Sequence, residues 1–217
     1  PLTSDVDFLA VTVRALTPTQ FTALADMHQR LRALPNPYGD NQEGPYIDRK
    51  ALRRYIPAQT HPTIARGEAL KWSIHGTNWI LERFMVREHG LIVFGPDPKT
   101  LIDPLSADEL RAATRARLPE WVAWARHATD PDWSLARSHK AYVIETMCRA
   151  LYTLTTGALA SKPQAVTWAT IHLPEPWRTL AARSRAWHAD ATADPGLNAE
   201  VAAFIRWTAE VAERGSI

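Results

Sequence analysis

Apolar positions recur along this chain with two different periods, and the change from one to the other divides it. Near the start, Val6-Asp7-Phe8-Leu9-Ala10-Val11 is an almost continuous apolar run rich in β-branched and aromatic residues. It predicts a strand buried on both faces of a sheet. Thr17 and Pro18 then open a helix, as N-cap and first helical residue. Phe21, Leu24, Ala25, His28 and Leu31 recur on one face of it, and Pro35-Asn36-Pro37 stops it. A polar stretch from Asp40 leads through Gly44-Pro45 to Ile47, where a second strand is expected. Residues 49–76, interrupted by His61-Pro62 and Gly67, show no clear period. Helical spacing returns over 77–89 with Trp79, Leu81, Phe84, Met85 and Val86. Gly90 ends that helix, and Leu91-Ile92-Val93-Phe94 predicts a further buried strand, broken by Gly95-Pro96.

Leu101-Ile102-Asp103-Pro104 reads as a hinge, and beyond it the period is helical throughout. Ser106-Ala107-Asp108-Glu109 is a capping box opening a helix that runs through Trp121 and Trp124. After a loop at 128–138, a second helix over 139–156 buries Ile144, Met147, Leu151 and Leu154, and Gly157 closes it. Three more helices are expected near 162–172, 175–189 and 197–214. The pattern predicts an α+β protein: a mixed sheet domain over residues 1–105 followed by an all-α helical bundle over 106–217.

Charge and composition narrow the partners. A formal net charge of +2 in 217 residues, with scattered arginines, argues against a nucleic-acid surface. No apolar run approaches the ~18 residues of a membrane span, and no leader sequence opens the chain. The single cysteine, Cys148, excludes an internal disulfide and suits a reducing compartment. A cytoplasmic monomer or weak dimer, without nucleic-acid or membrane partners, is expected. Cys148 lies in an apolar helical stretch and reads as a packing residue.

Two features carry chemistry by their residue types. Asp5 and Asp7, two apart on a strand, point to the same side. Two such carboxylates repel unless a cation joins them, and hard oxygen ligands suit Mg²⁺. A solvated strand start accounts for them equally well. Lys162 follows the natural N-cap Ser161 and precedes Pro163, so it sits at a helix N-terminus. Alone there it opposes the helix dipole by a few tenths of a kcal/mol, whereas with a bound phosphate the free amides and the ammonium act together.

The stretch Ser4-Asp5-Val6-Asp7-Phe8-Leu9 followed by a helix resembles the metal-binding strand of the nucleotidyltransferase superfamily. More narrowly, the chain resembles the aminoglycoside adenylyltransferases of the streptomycin/spectinomycin type. That likeness rests on Glu88-His89-Gly90 leading into Gly95-Pro96, Cys148-Arg149-Ala150-Leu151-Tyr152 with Thr156-Gly157, and Ser161-Lys162-Pro163 with Trp168-Ala169. The resemblance implies transfer of AMP from ATP to a hydroxyl of a polycationic, aminoglycoside-like acceptor. It makes Asp5 and Asp7 ligands of two Mg²⁺ ions, and Glu43, at a Glu-x-x-Tyr-like strand start, the third carboxylate and base. Asp40 and Asp48 are nearby alternatives to Glu43. It further implies nucleotide contacts from Ser4, Arg149 and Lys162, and acceptor contacts from Asp132 and Trp133. For Arg149 the competing reading is an i,i+4 pair with Glu145, worth ~0.3–0.5 kcal/mol and needing no ligand.

Three departures qualify the likeness. His139 and Asn78 stand where the family has acidic residues. The family's Gly-Ser turn, about ten residues before the Asp-x-Asp strand, has no counterpart in residues 1–217. The resemblance therefore implies a truncated, N-terminally incomplete nucleotidyltransferase-type domain, with weak ligand binding and little or no turnover by this chain. Two other classes fit the same residues: a non-catalytic ligand-binding protein or fragment, and an adenylyltransferase acting on a protein hydroxyl.

Overall fold

The computed structural model describes residues 6–36, 38–127 and 129–215. The chain divides into two compact units, one ending at Pro104 and the other beginning at Leu105. The first is an α+β unit around a mixed sheet, and the second is all helical.

In the first unit, β1 (Val6–Asp7) and β2 (Ala10–Thr12) are two halves of one run, and both pair in parallel with β3 (Gln42–Asp48). The register is the same for both, with Asp7 beside Glu43 and Val11 beside Ile47. Gly44 and Pro45 explain the break. Val6 and Phe8 donate to the carbonyls of Asn41 and Glu43, so Pro45 is the next residue of β3 to face this run. A proline has no N–H to donate there. Gly44 lets the backbones close up, since a Cβ on it would lie 2.0 Å from the Phe8 carbonyl oxygen.

Between these strands runs α1 (Pro18–Arg32), which starts where the sequence predicts. Thr17 caps it and Gln20 completes a capping box. Its His28 is buried, bonded to the Tyr46 hydroxyl at 2.9 Å and stacked with Phe8 at 6.0 Å, which lays the helix on one face of the sheet. The expectation of a first strand buried on both faces is not met. Val6 and Val11 are both exposed, and among the described residues the strand pairs only with β3. An unbroken apolar run does not specify how many layers cover it.

The featureless stretch resolves into α2 (Arg49–Leu52) and an antiparallel pair, β4 (Thr60–Ile64) and β5 (Lys71–Ile74). The sheet order is β1-β3-β4-β5, with β2 also on β3. Alternation in Lys71-Trp72-Ser73-Ile74 and the left-handed Gly67 (φ 72°) between the strands were the available signals; Pro62 inside β4 obscured them. α3 (Asn78–His89) follows as expected. The four residues after it do not form the predicted buried strand. Leu91, Ile92, Val93 and Phe94 are 91, 50, 92 and 98 % exposed and belong to no strand. Hydrophobicity marks a segment that gains from burial, but a strand also needs a partner for its backbone.

The second unit contains α4 (Ala107–Arg126), α5 (Arg137–Thr156), α6 (Lys162–His172), α7 (Trp177–Ser184) and α8 (Asn198–Arg214). Ser106 with Glu109 and Ser161 with Gln164 form capping boxes, and Gly157 ends α5 in the left-handed conformation (φ 71°). Ile144, Met147, Cys148 and Leu151 line the fully buried face of α5, around which α4, α6 and α8 pack. Trp187 is buried, and Trp168, Trp177 and Trp207 pack against the same core. No helix among the described residues is long and apolar enough to cross a membrane.

Candidate functional site

The parallel register between β1 and β3 produces the first grouping. Partnered residues on adjacent parallel strands lie ~4.8 Å apart and project to the same face. Asp7 and Glu43 are such partners, although 36 positions separate them in sequence. The Glu43 Oε1 accepts from the Arg66 backbone N–H at 3.4 Å, so it is held by the start of the β4–β5 connection. The two alternatives have other roles. Asp40 pairs with Arg32 (Nε–Oδ1 2.6 Å), and Asp48 caps α2 by accepting from the amides of Lys50 and Ala51. Ser4 and Asp5 lie outside the described residues. Among the described residues no three His, Cys, Asp or Glu side chains gather as a metal cage. Two neighbouring carboxylates nevertheless match what Mg²⁺ takes from a protein, with substrate phosphates and water completing its shell.

The second grouping lies within the helical unit, along the α5 face of Tyr142, Glu145 and Arg149. Lys162 opens α6, and its Nζ sits 4.7 Å from the centre of the Tyr142 ring, a cation–π distance. Arg149 donates from Nε to the Ala160 carbonyl at 3.0 Å, tying α5 to the turn before α6. The i,i+4 pair between Glu145 and Arg149 does not form. Glu145 is 2 % exposed and instead pairs with His188, Nε2 to Oε1, at 3.0 Å. Burial pushes its carboxyl above the ordinary range, while the charges of His188 and Lys162 pull it back. His188 escaped the sequence reading because nothing local links it to α5, 43 residues earlier; only packing of the chain after α7 against α5 brings them together.

Asp132 and Trp133 lie in a 3₁₀ turn that Asp130 caps. Asp132 is exposed. Trp133 is buried, stacked on Trp124 at 4.2 Å, and its carbonyl accepts from the buried Lys140 Nζ at 2.7 Å. Trp133 therefore anchors this turn, and Asp132 is the side chain it presents. His139 lies 6.1 Å ring to ring from Tyr142, with its pKa lowered mainly by burial. Cys148 is fully buried and its thiol is pushed up to about 12 by burial and the nearby Glu145, as suits a packing residue.

Residues 100–210 match the family described as aminoglycoside adenylyltransferase, C-terminal domain. Aminoglycoside (3'')(9) adenylyltransferases from Klebsiella pneumoniae and Escherichia coli are each 29% identical over 99 residues, which is 46% of this chain and 34% of theirs. The Rhizobium radiobacter enzyme of the same description is 30% identical over 94 residues, 43% of this chain and 32% of its own. The matched stretch thus spans about a third of the length of these relatives. Among solved structures, spectinomycin adenyltransferase AAD(9) from Enterococcus faecialis, crystallised with ATP and spectinomycin, superposes with a TM-score of 0.70. That match covers 96% of this chain and 85% of the other at 14% identity, a likeness of fold. The sequence match over the helical unit and the shared α+β architecture agree: this chain belongs to the aminoglycoside adenylyltransferase family.

Proposed function

We propose that the protein transfers AMP from ATP to a hydroxyl of an aminoglycoside-like acceptor. The observation that carries the reading is the strand register that sets Glu43 beside Asp7, an acid pair at one end of a sheet in a family of adenylyltransferases. Asp7, with Asp5 two residues before it, would hold Mg²⁺, which when bound supplies positive charge against the phosphates. Glu43 takes the proton of the acceptor hydroxyl as the oxygen attacks the α-phosphorus, and pyrophosphate leaves. Arg149 presents the remaining nitrogens of its guanidinium, and Lys162 its ammonium at a helix N-terminus, to the phosphates; both donor types suit that anion. Ser4 joins them as a nucleotide contact. Asp132 offers a carboxylate to a cationic acceptor, held in place by buried Trp133.

The test compares Asp7→Asn and Glu43→Gln with the parent chain. Asp7→Asn should weaken Mg²⁺-dependent ATP binding at least tenfold in calorimetry. Glu43→Gln should leave that binding within about threefold and lower AMP transfer to streptomycin or spectinomycin, followed by mass spectrometry, by ~10²–10⁴-fold. Equal Mg·ATP affinity in Asp7→Asn and the parent would make the acid pair structural. A version extended at its N-terminus to include a Gly-Ser turn, if it binds ATP and yields no adenylylated acceptor, would overturn the transfer reading in favour of a binding protein.

A further inference from the structure

Glu145 is an unusual residue to find where it is. Its carboxylate is buried in the middle of α5, one turn from Tyr142 and one turn from Arg149, on the face to which phosphate binding is assigned above. A buried anion beside a polyphosphate site is repulsive, and in a low-dielectric setting such repulsion is not screened away. Pure packing would favour an apolar residue here, since the neighbours on α5 are Ile144, Met147 and Cys148. What compensates the carboxylate is specific. His188 covers it from the surface, with Nε2 3.0 Å from Oε1 and more than half of its own side chain exposed. Lys162 acts on it from the first turn of α6. On α5 the other titratable or charged neighbours of Glu145 are Tyr142, Arg149, whose Nε is bonded to the Ala160 carbonyl, and Cys148, which stays a neutral thiol.

We propose that Glu145 and His188 form a proton-linked counter-charge for the phosphate site, so that polyphosphate binding is accompanied by net uptake of a proton at this pair. With no anion bound, the carboxylate balances the Lys162 ammonium, and His188 Nε2 meets it at 3.0 Å. An arriving polyphosphate draws the Lys162 ammonium into its own field, leaving the Glu145–His188 pair to face additional negative charge. A proton taken up between Glu145 Oε1 and His188 Nε2, 3.0 Å apart, removes the repulsion. By linkage, proton uptake on binding means that affinity for the anion rises as pH falls. Glu145 and His188 act here as positioning residues, through charge, with no bond made or broken.

This proposal rests on the assignment of Lys162 to phosphate, and the experiment separates the two. Inorganic tripolyphosphate and Mg·ATP are titrated into the 217-residue chain by calorimetry, in pairs of buffers with different ionisation enthalpies, between pH 6 and 8. Protonation of the probe itself is common to every variant, so differences between variants report the protein. The parent should take up roughly half a proton more per anion bound than His188→Gln does. Glu145→Gln should bind the anion at least threefold tighter at pH 8 and lose most of its pH dependence. If Glu145→Gln fails to fold, His188→Gln, a change at a largely exposed side chain, carries the test alone. Identical proton uptake in His188→Gln and the parent, with Lys162→Ala still weakening binding, would overturn the proposal and leave the phosphate assignment standing. No binding by the parent, or affinity unaltered in Lys162→Ala, would overturn both.

Discussion

Acid should open the first unit from a particular place. His75 lies 2 % exposed between β5 and α3, its ring stacked on Trp79 at 3.7 Å and 4.6 Å from the ring of His61. Its Nε2 meets the Thr63 hydroxyl at 3.0 Å, while Nδ1 has no partner. Beneath it the buried Arg83 guanidinium is held by the carbonyls of Leu52, Ala51 and Trp79. Burial, together with the charges of His61 and Arg83, lowers the His75 pKa from 6.5 to about 3. The folded protein therefore keeps this ring neutral where the unfolded chain would protonate it. The stabilising contribution is complete above pH 6.5 and is lost as pH falls from there towards 3. From those two values the loss from His75 alone is about 2 kcal/mol at pH 5 and about 3 kcal/mol at pH 4. His61 and His28, lowered chiefly by burial, act in the same direction. Hydrogen exchange of the β4–β5 ladder, corrected for the intrinsic pH dependence of exchange, measures the opening free energy directly. His75→Gln should be less stable at pH 7, having lost the Trp79 stack, yet show a flatter dependence on pH. An opening free energy in the parent that changes by less than ~0.5 kcal/mol between pH 7 and 5 would refute the account, as would an equal slope in His75→Gln.

Two other predictions concern close packing. Gly44→Ala places a methyl 2.0 Å from the Phe8 carbonyl, so β1 must part from β3. The expected cost is at least about 2 kcal/mol, with Mg²⁺-dependent ATP binding lost in calorimetry because Asp7 no longer lies beside Glu43. Cys148, with a thiol pushed up to about 12, should react with a disulfide reagent at pH 8 at least ~10³-fold more slowly than an ordinary cysteine, from its thiolate fraction alone. Fast labelling of the native chain, followed by absorbance, would show that the α5 core opens readily.

Features set by neighbours in the chain were legible in the sequence. Thr17, Ser106 and Ser161 cap the helices they precede, Gly157 ends α5, and the apolar positions of α5 face the core, because each depends on a few adjacent residues and the helical period. The likeness to the adenylyltransferases rested on the same kind of local information and drew attention to Asp7, Glu43, Arg149 and Lys162.

Partners distant in the chain were decided only by the tertiary structure. Val6–Val11 and Leu91–Phe94 are both apolar enough to be buried, yet the first is partly exposed and the second almost wholly so, since burial depends on what else packs there. Glu145 has Arg149 four residues away and takes His188 instead. Asp7 and Glu43 become neighbours through one strand register, permitted by the missing Cβ of Gly44. Short-range preferences of a few tenths of a kcal/mol choose a cap or a turn, but which distant side chains meet depends on the packing of whole elements, whose larger energies override them.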